Sequence, residues 1–187
     1  LLNPLYDLNG NIIKNGENVN VFDNAPIRDA CRYGHYKIVK LLIKYWANIH
    51  SRYNECLKTA CVHGLYDMCE LLLDNGATIN DEIYFLIIRD GNYDIFNLLL
   101  THTKNPNYYY IFEQARRHGE FQIVEDILKI SDKIRPRNND LIEAVDKKYY
   151  DIVKLFLDYG VNIHINNDEI IKKALKKCDT KLLEIIE

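Results

Sequence analysis

The sequence has no apolar run long enough to cross a bilayer. Its longest, Ile83-Tyr84-Phe85-Leu86-Ile87-Ile88, falls far short of the roughly 20 residues a spanning helix needs, so no membrane association is expected. It has little net charge: 24 Lys and Arg against 27 Asp and Glu leave −3, which gives no bulk attraction to nucleic acid or anionic lipid. It has no glycine-rich phosphate loop, because its glycines stand apart. Its five cysteines are an odd number, which points to a reducing, intracellular and cytoplasmic setting rather than a disulfide framework. Cys56, Cys61, His63 and Cys69 follow no zinc-ligand spacing. Nothing groups a nucleophile, a base and an oxyanion donor. Neither an enzyme nor a metal or cofactor site is expected. No signal segment is visible after Leu1.

What the sequence has is repetition. Ala30-Cys31-Arg32-Tyr33-Gly34-His35-Tyr36 returns as Ala60-Cys61-Val62-His63-Gly64-Leu65-Tyr66, and each is followed by apolar residues and a Leu-Leu pair. The glycine position then reads Gly34, Gly64, Gly91, Gly119, Lys148 and Cys178. Four residues before it stand Ala30, Ala60, Ile87, Ala115, Ala144 and Ala174, and four after it Ile38, Met68, Ile95, Ile123, Ile152 and Leu182. A period near 30 residues held over six units marks stacked helix pairs, each too thin to bury its own apolar face. Gly34 supplies the left-handed residue that ends the first helix. Pro26 suits a helix start. The second helix, near 36–45, carries Ile38, Val39, Leu41 and Leu42 inward at spacings of three and four. Only a small residue fits where helix pairs approach, so Ile87 predicts altered stacking in the third repeat. Lys148 predicts either a reshaped turn or a strained one. One ring of Tyr108-Tyr109-Tyr110 is expected in the core. The expected organisation is a cap or partial repeat over 1–20, which could equally be a small hairpin around Asn9-Gly10, and about six repeats over 21–187. The last repeat stops inside its second helix, so further chain is expected after Glu187.

On these residues the chain resembles the ankyrin repeat family. The family's opening is similar to Ala25-Pro26-Ile27-Arg28, its small-residue pair to Ala30-Cys31 and Ala60-Cys61, its turn to Gly34-His35, and its exit to Gly76-Ala77-Thr78-Ile79-Asn80 and Gly160-Val161-Asn162-Ile163-His164. The shortened, Asn-, Ile- and Tyr-rich repeats are similar to those of giant DNA viruses, which would place the protein in host cytoplasm. The resemblance implies an all-α solenoid of stacked helix-turn-helix repeats with short loops and reduced β-turn fingers. The family's opening His is replaced by Arg28, Lys58, Phe85, Glu113, Ile142 and Lys172, so its hydrogen-bond bridge between repeats should be absent.

The implied function is non-catalytic binding of another protein on a concave face of first helices and loops. That places partner contacts at Arg32, Tyr33, Arg52, Tyr53, His63, Arg89, Asp90, Tyr108, Tyr109, Arg117 and His118, with Phe22 and Arg137 nearby in the loops. Arg and aromatic residues are favoured in binding hot spots, and their concentration puts the partner across the second to fourth repeats. Two other readings stand beside it: a substrate-recruiting adaptor of a ubiquitin ligase acting through a C-terminal segment outside this sequence, and a virion-associated structural array. The basic run Lys172, Lys173, Lys176 and Lys177 reads as a solvated helix face.

Overall fold

The computed structural model describes residues 5–6, 12–13, 20–164, 168–177 and 179–186. By packing they fall into two blocks, Leu1–Lys104 and Asn105–Glu187. The first block begins with two short antiparallel strands, β1 (Leu5–Tyr6) and β2 (Ile12–Ile13), with Leu5 opposite Ile13 and Tyr6 opposite Ile12. The rest of the expected cap over 1–20 lies outside the described residues.

Three helix pairs follow in the first block: α1 (Val21–Arg32) with α2 (Tyr36–Lys44), α3 (Ser51–Val62) with α4 (Tyr66–Asp74), and α5 (Asp81–Arg89) with α6 (Tyr93–His102). The second block holds α7 (Tyr108–His118) with α8 (Phe121–Ile130), α9 (Asn138–Asp146) with α10 (Tyr150–Asp158), and α11 (Glu169–Lys177) with α12 (Thr180–Ile186). Among the described residues these make six helix pairs.

The turns at the first five positions form for the same physical reason; the sixth, Cys178, lies outside the described residues. Gly34 takes φ +68°, which lets the His35 N–H donate to the Ala30 carbonyl at 2.8 Å. Gly64 repeats this at φ +67°, with Leu65 donating to Ala60 at 3.0 Å. Lys148 keeps the same left-handed conformation at φ +60°, so that turn is strained rather than reshaped. The small-residue position is buried in all six repeats, and Ile87 is fully buried in its place.

The inward position after each turn is also buried at Met68, Ile95, Ile123, Ile152 and Leu182. Burying such a side chain is worth about 1.5–3 kcal/mol. The first repeat corrects the expectation. Val39 and Leu42 are buried, but Ile38 and Leu41 are exposed. In later repeats of the block the preceding outer helix packs over that face, as α2 does on α4 and α4 on α6. Among the described residues no outer helix precedes α2.

The bridge between repeats survives in another chemistry. In the first block Arg28 reaches Glu55 at 2.7 Å, and Lys58 pairs with Glu82. In the second, Arg137 meets Glu113 at 3.3 Å, Arg116 meets Asp140 at 3.2 Å and also pairs with Glu143, and Lys173 meets Asp146 at 2.7 Å. The opening residue itself takes part at Arg28, Lys58 and Glu113. Loss of the family's His therefore does not leave the repeats unlinked.

Candidate functional site

Two kinds of loop between repeats stand in contrast. Asn80 and Asn107 are ordinary helix caps: their side-chain oxygens accept from the Ile83 and Tyr110 amides at 3.0 and 3.1 Å, satisfying donors a helix start leaves open. The loops before α3 and α11 are different. The Asn48 side chain accepts from the His50 amide at 2.9 Å, and the His50 ring lies 3.2 Å from the Asn54 oxygen. Asn162, His164 and Asp168 repeat this arrangement at 2.8 and 2.7 Å.

At the start of α1 and α3 the chain makes a left-handed turn, with φ between +48° and +63° at Phe22, Asp23 and Asn24 and again at Arg52, Tyr53 and Asn54. Three successive non-glycine residues in this region are costly and persist only when surroundings hold them. Here the two turns hold each other. The Ser51 hydroxyl donates to the Asp23 carbonyl at 3.0 Å, and the Arg52 Nε donates to the Asp23 carboxylate at 2.5 Å. Arg28 also donates to the Asp23 carbonyl at 3.0 Å. The hydrogen bond from Arg52 holds the Asp23 carboxyl below its usual range. The Asn48 amide donates to the side chains of Asn20 and Asn24 at 2.9 and 3.3 Å.

The result is a fixed edge from which large rings project. Phe22 is 85% exposed and Tyr53 is 90% exposed. Trp46, whose carbonyl accepts from the Asn20 side chain at 3.4 Å, is 84% exposed and has φ +67°. Rings held in water by a constrained backbone are apolar surface ready to be covered at small entropic cost.

The expected contact residues divide between the blocks. In the first, Arg52 and Tyr53 sit on this edge. Arg32 is tied to Glu55 at 3.1 Å, Tyr33 is exposed with its ring 6.1 Å from that of His35, and the His63 ring bonds the Thr59 carbonyl at 2.8 Å. Arg89 is paired with its neighbour Asp90 at 2.8 Å. In the second block Tyr109 is exposed and Tyr108 half-buried, Arg117 pairs with Glu113 at 3.4 Å, and His118 is half-buried. None of the three successive tyrosines is buried, which corrects the expectation of a core ring: Ile111 and Phe112, one turn later, fill the core there. Trp46 escaped the sequence reading. Its signal was positional, since it occupies the exit register held by Gly76 and Gly160.

Among the described residues no group of three or more His, Cys, Asp or Glu is placed to hold a metal ion. Cys31, Cys56, Cys61 and Cys69 are buried, and Cys61 lies 3.7 Å from Cys69. The adjoining Cys69 thiol, then burial, push Cys61 above the ordinary thiol range, and Cys56 with burial does the same to Cys31. Both stay protonated and act as packing. No helix among the described residues is long and apolar enough to cross a membrane.

Comparison with known proteins agrees with this geometry. The family model for ankyrin repeats (3 copies) matches residues 5–83. Among solved structures the chain is similar to the human ASB11 ankyrin repeat domain. The TM-score is 0.58 at 22% identity, covering 74% of this chain and 71% of that one. At that identity the likeness is one of fold. No curated protein sequence matches the chain.

Proposed function

We propose that the chain, which matches ankyrin repeats over residues 5–83, is a non-catalytic module that binds another protein through the loop edge of its first block. Ankyrin repeats generally serve protein–protein interaction. The observation that carries this reading is the cross-braced pair of left-handed turns that holds Phe22 and Tyr53 in solvent. Structural economy alone would not place large rings there, and strained backbone gathers at binding sites. Arg52 and Tyr53 remain partner residues in this reading, Phe22 and Trp46 join them, and Arg32 and Tyr33 extend the surface along α1. Tyr109 and Arg117 offer similar chemistry on the second block.

The test is to isolate binding proteins with the full chain, then measure their affinity for the Phe22→Ala/Tyr53→Ala variant. Truncating a hot-spot aromatic residue costs about 2 kcal/mol or more, so either change alone should lower affinity roughly thirtyfold and the double variant should lower it further. An unchanged affinity with an unchanged circular dichroism spectrum would remove the loop edge from the interface.

A further inference from the structure

Two neighbouring outer helices of the first block carry opposite charges in register. α2 places Lys37, Lys40 and Lys44 on its exposed side and has no acidic residue. α4, which packs beside it, places Asp67, Glu70 and Asp74 at the same three positions, 30 residues on, and has no basic residue. No ion pair joins the two rows among the described residues; Asp74 is engaged by His102 at 3.4 Å instead. Tyr36, Leu41 and Tyr66 are exposed on the same two helices.

Such a patch is complementary to itself. We propose that a second copy of this chain docks on it, with the α2 of each copy lying parallel on the α4 of the other across a two-fold axis that runs along the helices. An isologous contact requires one patch to match its own rotated image, and a positive row beside a negative row does so. This alignment sets Lys37 against Asp67, Lys40 against Glu70 and Lys44 against Asp74 of the second copy. Both rows carry the same spacing, three residues then four, so all three pairs come into register. A patch lined by one sign of charge would repel its own copy, and a wholly apolar one would not fix an orientation. Exposed ion pairs contribute little affinity by themselves. Here they set orientation and selectivity, while burial of Tyr36, Leu41 and Tyr66 supplies the drive. The surface lies on the outer helices, apart from the loop edge proposed for partner binding, and does not depend on that proposal.

Sedimentation velocity of the full chain across a concentration series tests the inference. At low salt a monomer–dimer equilibrium is expected, shifting toward monomer as salt screens the pairs. Lys40→Glu or Glu70→Lys alone should give monomer at every concentration. The double variant Lys40→Glu/Glu70→Lys should recover the dimer, because the swap restores opposite charges across the axis. Both positions are exposed, and circular dichroism confirms that each variant is folded. A wild-type chain that stays monomeric would overturn the proposal, as would a dimer indifferent to the single changes. So would single variants that only melt at a different temperature without changing mass, the result expected if the two rows merely attract each other within one chain.

Discussion

Trp46 and Lys148 both occupy backbone conformations that glycine takes elsewhere in the array, at φ +67° and +60°. A left-handed L-residue costs roughly 1–2 kcal/mol, so Lys148→Gly should raise the free energy of urea unfolding by about 1 kcal/mol, offset in part by the greater freedom of glycine in the unfolded chain. Trp46→Gly should stabilise by a similar amount, and on the proposed function it should also weaken partner binding. A gain in stability accompanied by a loss of affinity is the signature of strain kept for recognition. Gly119 and Gly76 give the converse comparison. Both are left-handed, at φ +83° and +89°, but a Cβ on Gly119 would lie 2.7 Å from the Tyr149 ring, whereas one on Gly76 meets nothing within 4 Å. Gly119→Ala should therefore lower the melting temperature clearly more than Gly76→Ala.

At the scale of the helix pair, the ion pairs between repeats carry the next expectations. Arg116 is buried with Glu113 and Asp140, and it holds Glu143 as well. Removing one member of a buried charge network leaves the others uncompensated, at about 3–5 kcal/mol. Arg116→Ala should cost that much in urea unfolding, while Arg32→Ala, whose pairs are exposed, should cost under about 1 kcal/mol. Glu55 lies below its usual range because Arg28 bonds its carboxylate, a direction that burial opposes. A carboxyl depressed in the folded state adds stability above its unfolded pKa of about 4.3 and loses it as pH falls through the folded value. The melting temperature of the wild type should accordingly drop more steeply below about pH 4.3 than that of Glu55→Gln. The repeats, their turns and the buried small-residue positions were legible in sequence, because each recurs at one register and depends on local chemistry. The inter-repeat ion pairs were not. Arg28 and Glu55 belong to different repeats, 27 residues apart, and no local pattern announces the pairing. The exposure of Ile38 was hidden for a related reason: periodicity reports which face is apolar, not whether a neighbour covers it.

At the scale of the whole chain, large exposed apolar side chains gather in the first block, with Phe22, Tyr33, Trp46, Tyr53 and Val62 among them, whereas the second block exposes Tyr109, Ile130 and Leu175. An array evolved only to stack would not need that asymmetry. The sequence pointed to Arg52 and Tyr53 through residue type, and to a wider set through family geometry. It could not show that Asp23 and Ser51 brace the loop edge, since that bracing depends on left-handed turns that no glycine signals. Amide hydrogen exchange of the full chain, with and without a captured binding protein and at one fixed chain concentration, tests the central claim most directly. Protection gained across 20–24 and 50–54 is the predicted result. Protection confined to the outer helices or to the second block, with those loops exchanging as before, would contradict it.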